Sequence, residues 1–308
     1  MIHIDDAALR AVITAAEAAD LIEHVLLDGH DPDSGPGRTA VDVPAGQLLL
    51  MPAALPGYAG VKIATVAPGN PEHGRPRIQG AYLLLDGGTL TPLAVLDAVA
   101  LTAVRTPAVS AVAVRHLART DARRLVVFGT GPQAWGHVEA LRAVRPIEHV
   151  AVVGRSSPAD FVARCRAAGL AAEAATPAAV GDADLVACCT SAREPLFPSR
   201  LVREDAVVVA VGSHEPSARE VDEDLVRRST VVVESRGAAE REAGDLILAR
   251  GAGEDGRIPC IAGDLADLVS GRLSVPPGRP GLFKSVGMAW EDLVVAVAVY
   301  ERLRNGGR

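Results

Sequence analysis

Residues 128–134, FGTGPQA, contain a glycine-rich turn that fits the pattern G-x-G-x-x-A, with Gly129, Gly131 and Ala134 at the fixed positions. In such a turn the first glycine permits a tight reversal, the second lets the backbone approach a pyrophosphate, and the third small residue allows close helix packing. The N–H groups that open the following helix are available to phosphates. The motif therefore predicts a dinucleotide site whose contacts come from Gly129, Thr130, Gly131, Pro132, Gln133 and Ala134.

The end of the next predicted strand indicates which dinucleotide binds. NAD sites usually place an Asp or Glu there for the ribose hydroxyls, whereas NADP sites use Arg for the 2′-phosphate. Here the strand is followed by Gly154, Arg155 and Ser156, with no carboxylate. We expect these three residues to bind NADPH, and NADH stays open as an alternative.

Only two of the 31 basic side chains are lysines, Lys62 and Lys284. An ammonium group confined among other cations can lose its proton, whereas a guanidinium stays charged. Lys62 alternates with Val61 and Ile63 along a predicted strand, so it faces the other side from them. The two lysines are therefore candidates for acid–base chemistry or for contacts near the cofactor.

Runs rich in valine and alanine alternate with helical segments from residue 121 to residue 285, in the order RLVVF, HVAVV, DLVACC, AVVVAV and TVVVES. Continuous apolar strands that alternate with helices are typical of a parallel sheet covered on both faces. This pattern predicts an α/β fold with a doubly wound Rossmann sheet. Thr190 and Ser191 follow the DLVACC strand, at the sheet edge where cofactors bind in such folds.

The first part of the chain has a different pattern. Residues 5–30 carry apolar side chains at helical spacing, and short alternating runs between 39 and 96 predict a mostly antiparallel sheet with a hairpin turn at DGG, 86–88. Helices are predicted over 94–117 and over the closing segment 287–304. We divide the chain into one domain of residues 1–118 and 288–308 and a dinucleotide-binding domain of residues 119–287.

Composition excludes several classes of protein. A formal net charge of −7 argues against a nucleic-acid partner. The four cysteines form no C-x-x-C pair and the histidines lack metal-ligand spacing, so no metal is expected. The opening residues lack the apolar stretch of a signal peptide, and Asp97 and Arg105 interrupt the apolar stretch 93–114. We expect a cytoplasmic protein with no membrane partner.

Several segments resemble the ornithine cyclodeaminase/mu-crystallin family, in the order the family has them. They are MPA (51–53), YAGVKIATVAPGNP (58–71), GAYLLLDGGTLTPLAVLDA (80–98), LTAVRTPAVSAVA (101–113), GTGPQA, VGSHEPSAREVDEDLV (211–226) and FKSVGMAWEDL (283–293). The resemblance implies a homodimer. It also implies that the first domain provides both the substrate contacts and the subunit interface.

By this resemblance, Arg38, Lys62 and Arg105 match substrate-contacting positions. Two arginines can hold an α-carboxylate through paired charge-assisted hydrogen bonds. Arg105 lies in a helix that is apolar almost all round, where an unpaired charge is costly. We expect Lys62 and Arg105 to be catalytic and Ser213 to join the substrate contacts. The remaining expected cofactor contacts are Arg77, Arg105, Val211, Gly212 and Ser285.

The sequence departs from the cyclodeaminase pattern in the loop Gly212-Ser213-His214-Glu215-Pro216. Family members that deaminate ornithine carry an aspartate two residues before this proline, and His214 stands there instead. An imidazole cannot serve as the same anion, but it can relay a proton near neutral pH. Loops of the GSH-x-P kind look more like those of the family's imine reductases. The acidic run 220–225 in the same segment is expected to be a solvated helix start, with Asp222 as its cap.

The sequence thus predicts an NAD(P)H-dependent oxidoreductase that reduces a cyclic imino acid of the pyrroline-2-carboxylate or ketimine type to a proline-like amino acid. Three alternatives stay open. They are an ornithine cyclodeaminase that releases ammonia, an alanine-type dehydrogenase of an open-chain 2-oxo acid, and a mu-crystallin-like binder of NADPH and a small molecule without turnover.

Overall fold

The computed structural model describes residues 1–249 and 261–306, and Cys260 lies outside this part. The strands are β1 (Ile2–Ile4), β2 (Thr39–Val43), β3 (Gly46–Leu55), β4 (Tyr58–Val66), β5 (Ile78–Asp86), β6 (Pro92–Asp97), β7 (Arg124–Phe128), β8 (His149–Val153), β9 (Ala171–Ala174), β10 (Leu185–Cys188), β11 (Val207–Ala210), β12 (Thr230–Val233), β13 (Ile261–Asp264) and β14 (Gly281–Lys284). The α-helices are α1 (Asp6–Val12), α2 (Ala15–Leu27), α3 (Ala98–Leu117), α4 (Pro132–Val144), α5 (Ala159–Ala167), α6 (Glu223–Arg228), α7 (Arg236–Glu242), α8 (Gly244–Ile247), α9 (Leu265–Val269) and α10 (Ala289–Gly306).

The chain divides into two units. Unit 1 comprises Met1–Ile22, Ser34–Arg105 and Met288–Arg308, and unit 2 comprises Glu23–Asp33 and Thr106–Gly287. The division differs from the predicted boundary after residue 118, because residues 106–118 and Glu23–Asp33 fall in unit 2.

Unit 1 is built on a mixed six-stranded sheet in the order β1-β6-β5-β4-β3-β2. All neighbouring strands in it are antiparallel except β1 and β6, which confirms the mostly antiparallel prediction. Alternation along the strands buries one face, which includes Leu49, Met51, Tyr82 and Leu84, and α10 packs against β3 and β4.

The hairpin between β5 and β6 forms where DGG predicts it. Asp86 organises the turn, because its Oδ1 accepts the N–H groups of Gly88 and Thr89. The residue with left-handed backbone is Leu90, with φ 56°, not one of the two glycines. The helix predicted from residue 94 begins only at Ala98, because residues 94–97 complete β6 and Asp97 accepts the N–H groups of Val99 and Ala100.

Unit 2 contains an eight-stranded sheet in the order β13-β12-β14-β11-β10-β7-β8-β9, and every neighbouring pair is parallel. Its central strands are fully buried, which explains their continuous runs of valine and alanine. The doubly wound prediction is confirmed. The sequence pattern missed β14, a four-residue strand that lies between β11 and β12.

Helix α3 is long and apolar enough to cross a membrane by length and composition, but 83% of its apolar window is buried inside the structure. Asp97, expected to interrupt this stretch, precedes the helix. Burial, more than charge, therefore marks α3 as the core helix of a folded protein.

Candidate active site

A buried ion pair joins Lys62 of β4 to Asp292 of α10, both in unit 1. Lys62 Nζ donates to Asp292 Oδ2 at 2.6 Å and lies 3.4 Å from Thr102 Oγ1. Lys62 is 3% exposed and Asp292 is 0% exposed. Strand alternation turns Lys62 away from the side of Val61 and Ile63, as predicted, and the side that Lys62 faces is the buried face of the sheet. Helix α10 brings Asp292 there in its first turn.

Arg105 binds the other oxygen of the same carboxylate. Its Nε donates to Asp292 Oδ1 at 3.0 Å, and its Nη1 donates to Glu291 Oε2 at 3.2 Å. Glu291 Oε2 also accepts the N–H of Met288 at 3.1 Å. The buried charges of Lys62, Arg105, Asp292 and Glu291 thus balance, as burial in a low-dielectric interior requires. We call these four side chains the ion cluster.

Electrostatics in the ion cluster make the Lys62 proton labile. The pKa of Lys62 is lowered to about 8, because burial, Arg105 and Arg38 lower it by more than Asp292 raises it. Burial alone would raise the pKa of Asp292, but Arg105 and Lys62 outweigh it and hold that pKa below its ordinary value. The arrangement offers an ammonium that can donate a proton near neutral pH beside a carboxylate that stays ionised.

The other two arginines predicted in unit 1 differ in position. Arg38 is half-buried just before β2 and acts on Lys62 through its charge. Arg77 is exposed just before β5, and in the described part of the chain no contact joins its guanidinium to the ion cluster. The structure therefore groups Arg38, Lys62 and Arg105, while Arg77 lies apart from them.

In unit 2, the glycine-rich turn has the geometry that a dinucleotide needs. Gly129 follows β7 with φ 104°, and a Cβ there would lie 2.6 Å from the Cys189 carbonyl oxygen. Gly131 caps α4 without a side-chain hydrogen bond, and a Cβ there would have nothing within 4 Å. Thr130, Gly131 and Pro132 are exposed at the start of α4, and a helix start of this kind suits a pyrophosphate.

The carboxyl end of β8 carries the residues expected to select the cofactor. Arg155 and Ser156 are exposed there. Gly154 is tightly placed, because a Cβ on it would lie 2.9 Å from the Ser156 carbonyl oxygen and 3.4 Å from Thr130 Cγ2. Gly154 and Thr130 therefore bring the ends of β7 and β8 together at one edge of the sheet.

Glu220 ties together the loops that follow β10 and β11. Its Oε1 accepts the N–H and the hydroxyl of Thr190, both at 2.7 Å, and its Oε2 accepts the N–H of Gly212 at 2.8 Å. The prediction that this acidic run starts in solvent is wrong for Glu220, which is fully buried. Burial raises the pKa of its carboxyl group. The prediction for Asp222 is confirmed, since it caps α6 by accepting the N–H of Leu225.

Lys284 is a buried structural cation of unit 2. Its Nζ lies 2.7 Å from Asp245 Oδ2 and donates to the Ser213 carbonyl oxygen at 2.6 Å. Asp245 Oδ1 in turn accepts the N–H groups of Glu220 and Val221. Lys284 therefore fixes the loop that carries Ser213, and these contacts assign it a positional role.

Two predicted hydroxyl contacts are directed to protein acceptors. Ser285 Oγ donates to Glu234 Oε1 at 2.6 Å, and Ser213 Oγ donates to the Ala218 carbonyl oxygen at 2.8 Å. Three other predicted residues lie in the same loops. His214 is half-buried beside Ser213, and Ser191 is exposed after Thr190. The Val211 N–H donates to the Cys188 carbonyl oxygen. In unit 2 the structure thus collects the predicted residues at the carboxyl ends of the strands, where the two serines hold the loops.

Sequence reasoning missed the acids that hold these groups. They are Glu291 and Asp292 in unit 1 and Glu220, Glu234 and Asp245 in unit 2, all buried. The available signal was the pair of acids at the start of the otherwise apolar α10, beside a run that reads LVVAVAV. Over residues 1–249 and 261–306, no group of three or more His, Cys, Asp or Glu side chains could hold a metal ion.

Comparison with known proteins decides the family, because the model of the ornithine cyclodeaminase/mu-crystallin family matches residues 13–307. The chain belongs to this family. Within it, the chain is 36% identical over 274 residues to a Delta(1)-pyrroline-2-carboxylate reductase of Bacillus cereus, covering 84% of this chain and 82% of the relative.

Two solved structures of similar fold bind nicotinamide cofactors. The Thermococcus litoralis Delta(1)-pyrroline-2-carboxylate reductase in complex with NADH and L-proline has a TM-score of 0.92 at 30% identity, covering 99% of this chain and 98% of that chain. An archaeal alanine dehydrogenase dimer with bound NAD has a TM-score of 0.91 at 26% identity, covering 100% and 97%. These likenesses confirm the predicted resemblance and the two-part α/β fold.

Proposed function

We propose that this member of the ornithine cyclodeaminase/mu-crystallin family is an NAD(P)H-dependent reductase of a cyclic imino acid of the pyrroline-2-carboxylate or ketimine type. The observation that carries the proposal is the ion cluster, in which a buried lysine with a lowered pKa lies beside a buried arginine. The likeness to pyrroline-2-carboxylate reductases, in sequence and in structure, supports the same reaction class.

The substrate's carboxylate is assigned to Arg105 and Arg38. A guanidinium binds a carboxylate through charge-assisted hydrogen bonds in a fixed fork geometry, which orients a flat cyclic imine. Arg105 already donates to Asp292 and Glu291, so its guanidinium plane is fixed before substrate arrives. A fixed plane limits the orientations in which the acid group can bind.

Proton management is assigned to Lys62. When bound, the nicotinamide cofactor supplies the hydride that the imine carbon receives. The Lys62 ammonium donates its proton to the imine nitrogen, so that the C=N bond becomes CH–NH. Lys62 is left as a neutral amine, which its pKa of about 8 permits, and regains a proton from water. His214, half-buried in the loop after β11, is proposed as a proton relay.

NADPH is the proposed cofactor, with NADH as the alternative. Arg155 and Ser156 are exposed after β8, where a guanidinium and a hydroxyl suit a 2′-phosphate and no carboxylate repels it. The remaining cofactor contacts are proposed at the G-x-G-x-x-A turn, at Thr190 and Ser191, and at the backbone of Val211 and Gly212. Ser285 and Ser213 are proposed to act through the loops that they hold.

A homodimer is the proposed assembly, formed through the open face of the unit 1 sheet. Val41, Val43 and Ile63 share that face, and their side chains are 42%, 43% and 38% exposed. Exposed apolar clusters of this kind mark protein interfaces, and the archaeal alanine dehydrogenase of similar fold is a dimer. A Val41→Glu variant should shift the mass in light scattering from dimer to monomer. An unchanged mass would place the interface elsewhere.

We also propose a cytoplasmic location. Cys165, Cys188 and Cys189 are free thiols in the described part of the chain, as is usual in a reducing compartment.

The test is to incubate the purified protein with NADPH and pyrroline-2-carboxylate, and separately with its six-membered analogue, while following the nicotinamide absorbance. We expect consumption of NADPH and formation of the cyclic amino acid. Pyruvate with ammonium tests the alanine-type reaction, and release of ammonium from ornithine tests cyclodeamination. Turnover with neither cyclic imine would overturn the proposal. Tight NADPH binding without turnover of any substrate would favour the non-catalytic binder.

A further inference from the structure

We infer that Asp292 is a positioning residue for the reaction, whose carboxylate holds the Lys62 side chain in place and in its ammonium form for proton transfer. This inference rests on the proposed function. Asp292 itself donates nothing to the substrate. It acts through Lys62 and, by its second oxygen, through Arg105.

Among the described residues, Asp292 is distinguished from the other charged groups around Lys62 by its direct hydrogen bond to the ammonium. It is the acid within hydrogen-bond distance of Lys62 Nζ, at 2.6 Å, whereas the contact of Glu291 is with Arg105. The charged and titratable groups around Lys62 come from four segments. Arg105 of α3 and Arg38 before β2 act on its charge, Asp292 of α10 binds it, and Tyr82 is its partner on β5, whereas Glu291 contacts Arg105. Two of the three charges that act directly on Lys62 are positive, so Asp292 supplies the attraction that retains the proton.

Removal of the Asp292 charge should lower the pKa of Lys62. Burial and the two arginines disfavour the ammonium, and Asp292 opposes them through both its charge and its hydrogen bond. An opposite charge within about 4–6 Å typically moves a pKa by roughly 1–3 units. In Asp292→Asn, Lys62 should therefore lose its proton at a lower pH than in the wild type. At neutral pH a larger share of Lys62 would then be a neutral amine, which cannot protonate an imine.

In this proposal Lys62 donates the proton and Asp292 holds Lys62, so Asp292 must stay ionised throughout the reaction. The N–H bond of the Lys62 ammonium breaks, and a new N–H bond forms on the substrate nitrogen. The pKa of Asp292 lies below its ordinary value, so the carboxylate does not take the proton in place of the substrate. After turnover its negative charge favours reprotonation of Lys62.

The presence of only two lysines allows a direct experiment. The protein is produced with lysine carrying ¹³C at the ε-carbon, which gives two signals, and Lys62→Arg identifies the one from Lys62. The titration of that signal and the pH dependence of kcat/KM with pyrroline-2-carboxylate are then measured for wild type, Asp292→Asn and Asp292→Glu. Asp184→Asn is the matched control, because Asp184 is a buried aspartate that pairs with Arg119 in unit 2.

We expect the Lys62 titration in Asp292→Asn to move to lower pH by about 1 unit or more, and the basic limb of kcat/KM to move by the same amount. Asp292→Glu should restore much of both shifts, and Asp184→Asn should leave both unchanged. An unmoved Lys62 titration in folded Asp292→Asn would overturn the inference. A titration that moves in a protein without imine turnover would uphold the role of Asp292 in holding the ammonium and would refute the proposed function instead. If Asp292→Asn does not fold, Asp292→Ser takes its place, because it also removes the charge. The same shift of the Lys62 titration to lower pH is expected there, and an unmoved titration would overturn the inference.

Discussion

Asp292 divides its two carboxylate oxygens between two cations, with Oδ2 accepting from Lys62 at 2.6 Å and Oδ1 from Arg105 at 3.0 Å. The pair of cations comes from a strand and a helix far apart in the chain, and one acid of the last helix fixes both. The proposed carboxylate-binding group, Arg105, and the proposed proton donor, Lys62, are therefore held by the same carboxylate.

The two lysines should respond differently to the same substitution. Lys62→Met should lower kcat/KM for the cyclic imine by about 10²- to 10⁴-fold, because a positioned proton donor is lost, while cofactor binding measured by fluorescence stays intact. Lys284→Met should instead lower stability by about 3–5 kcal/mol, since it leaves Asp245 buried without its cation. Equal loss of turnover in both variants at unchanged stability would contradict these roles.

Glycine at position 129 should be indispensable, whereas the glycine at 131 tolerates a methyl group sterically. Gly129→Ala combines a positive φ with a Cβ 2.6 Å from a carbonyl oxygen, so we expect about 1–3 kcal/mol of destabilisation and weaker NADPH binding. Gly131→Ala meets nothing within 4 Å and serves as the control for stability. Thermal unfolding and calorimetric titration measure the two effects. Identical melting temperatures for the two variants would argue against the strain at Gly129.

Cofactor preference should depend on Arg155. In Arg155→Ala the dissociation constant for NADPH should rise about 10- to 100-fold, the equivalent of a charge-assisted hydrogen bond of about 1.5–3 kcal/mol, while that for NADH stays nearly constant. Arg164→Ala, on the following helix α5, is the matched control for loss of an arginine. If NADPH and NADH weakened equally, Arg155 would not contact the 2′-phosphate.

The pH dependence of imine reduction follows from Lys62. In the proposed mechanism the ammonium form is the donor, and it is lost as pH rises through the pKa of about 8. We therefore expect kcat/KM to be flat toward neutral pH and to fall about tenfold per pH unit well above 8. Steady-state rates at saturating NADPH, with the fraction of substrate in the imine form determined separately, check this. A rate that rises between pH 8 and 10 would exclude Lys62 as the proton donor.

The sequence predicts those parts of the molecule that depend on local patterns. The G-x-G-x-x-A turn, the valine-rich strands and the capping role of Asp222 all follow from short segments, and the structure has them. The start of α3 was predicted four residues too early, because residues 94–97 suit a strand and a helix equally well by periodicity. Strand β14 was missed, because its residues GLFK include a glycine and a lysine and lack the valine-rich run of the neighbouring strands.

The buried acids were beyond prediction for a different reason. Whether Glu220 lies in solvent or in the core depends on Thr190 and Gly212, which reach it from other loops. Likewise, Asp292 is stable in the interior only because Lys62 and Arg105 neutralise it from distant parts of the chain. Partners at such sequence separations leave no periodic signal, although acids beside an apolar helical run are a useful indication.

The central claim is that a cyclic imine carbon receives hydride directly from the nicotinamide. The decisive measurement uses NADPH deuterated at the transferring position of the nicotinamide, together with unlabelled pyrroline-2-carboxylate, and mass spectrometry of the proline formed. The account predicts one deuterium per proline, at the carbon that bears the carboxylate. Proline without deuterium, or no proline at all, would contradict it.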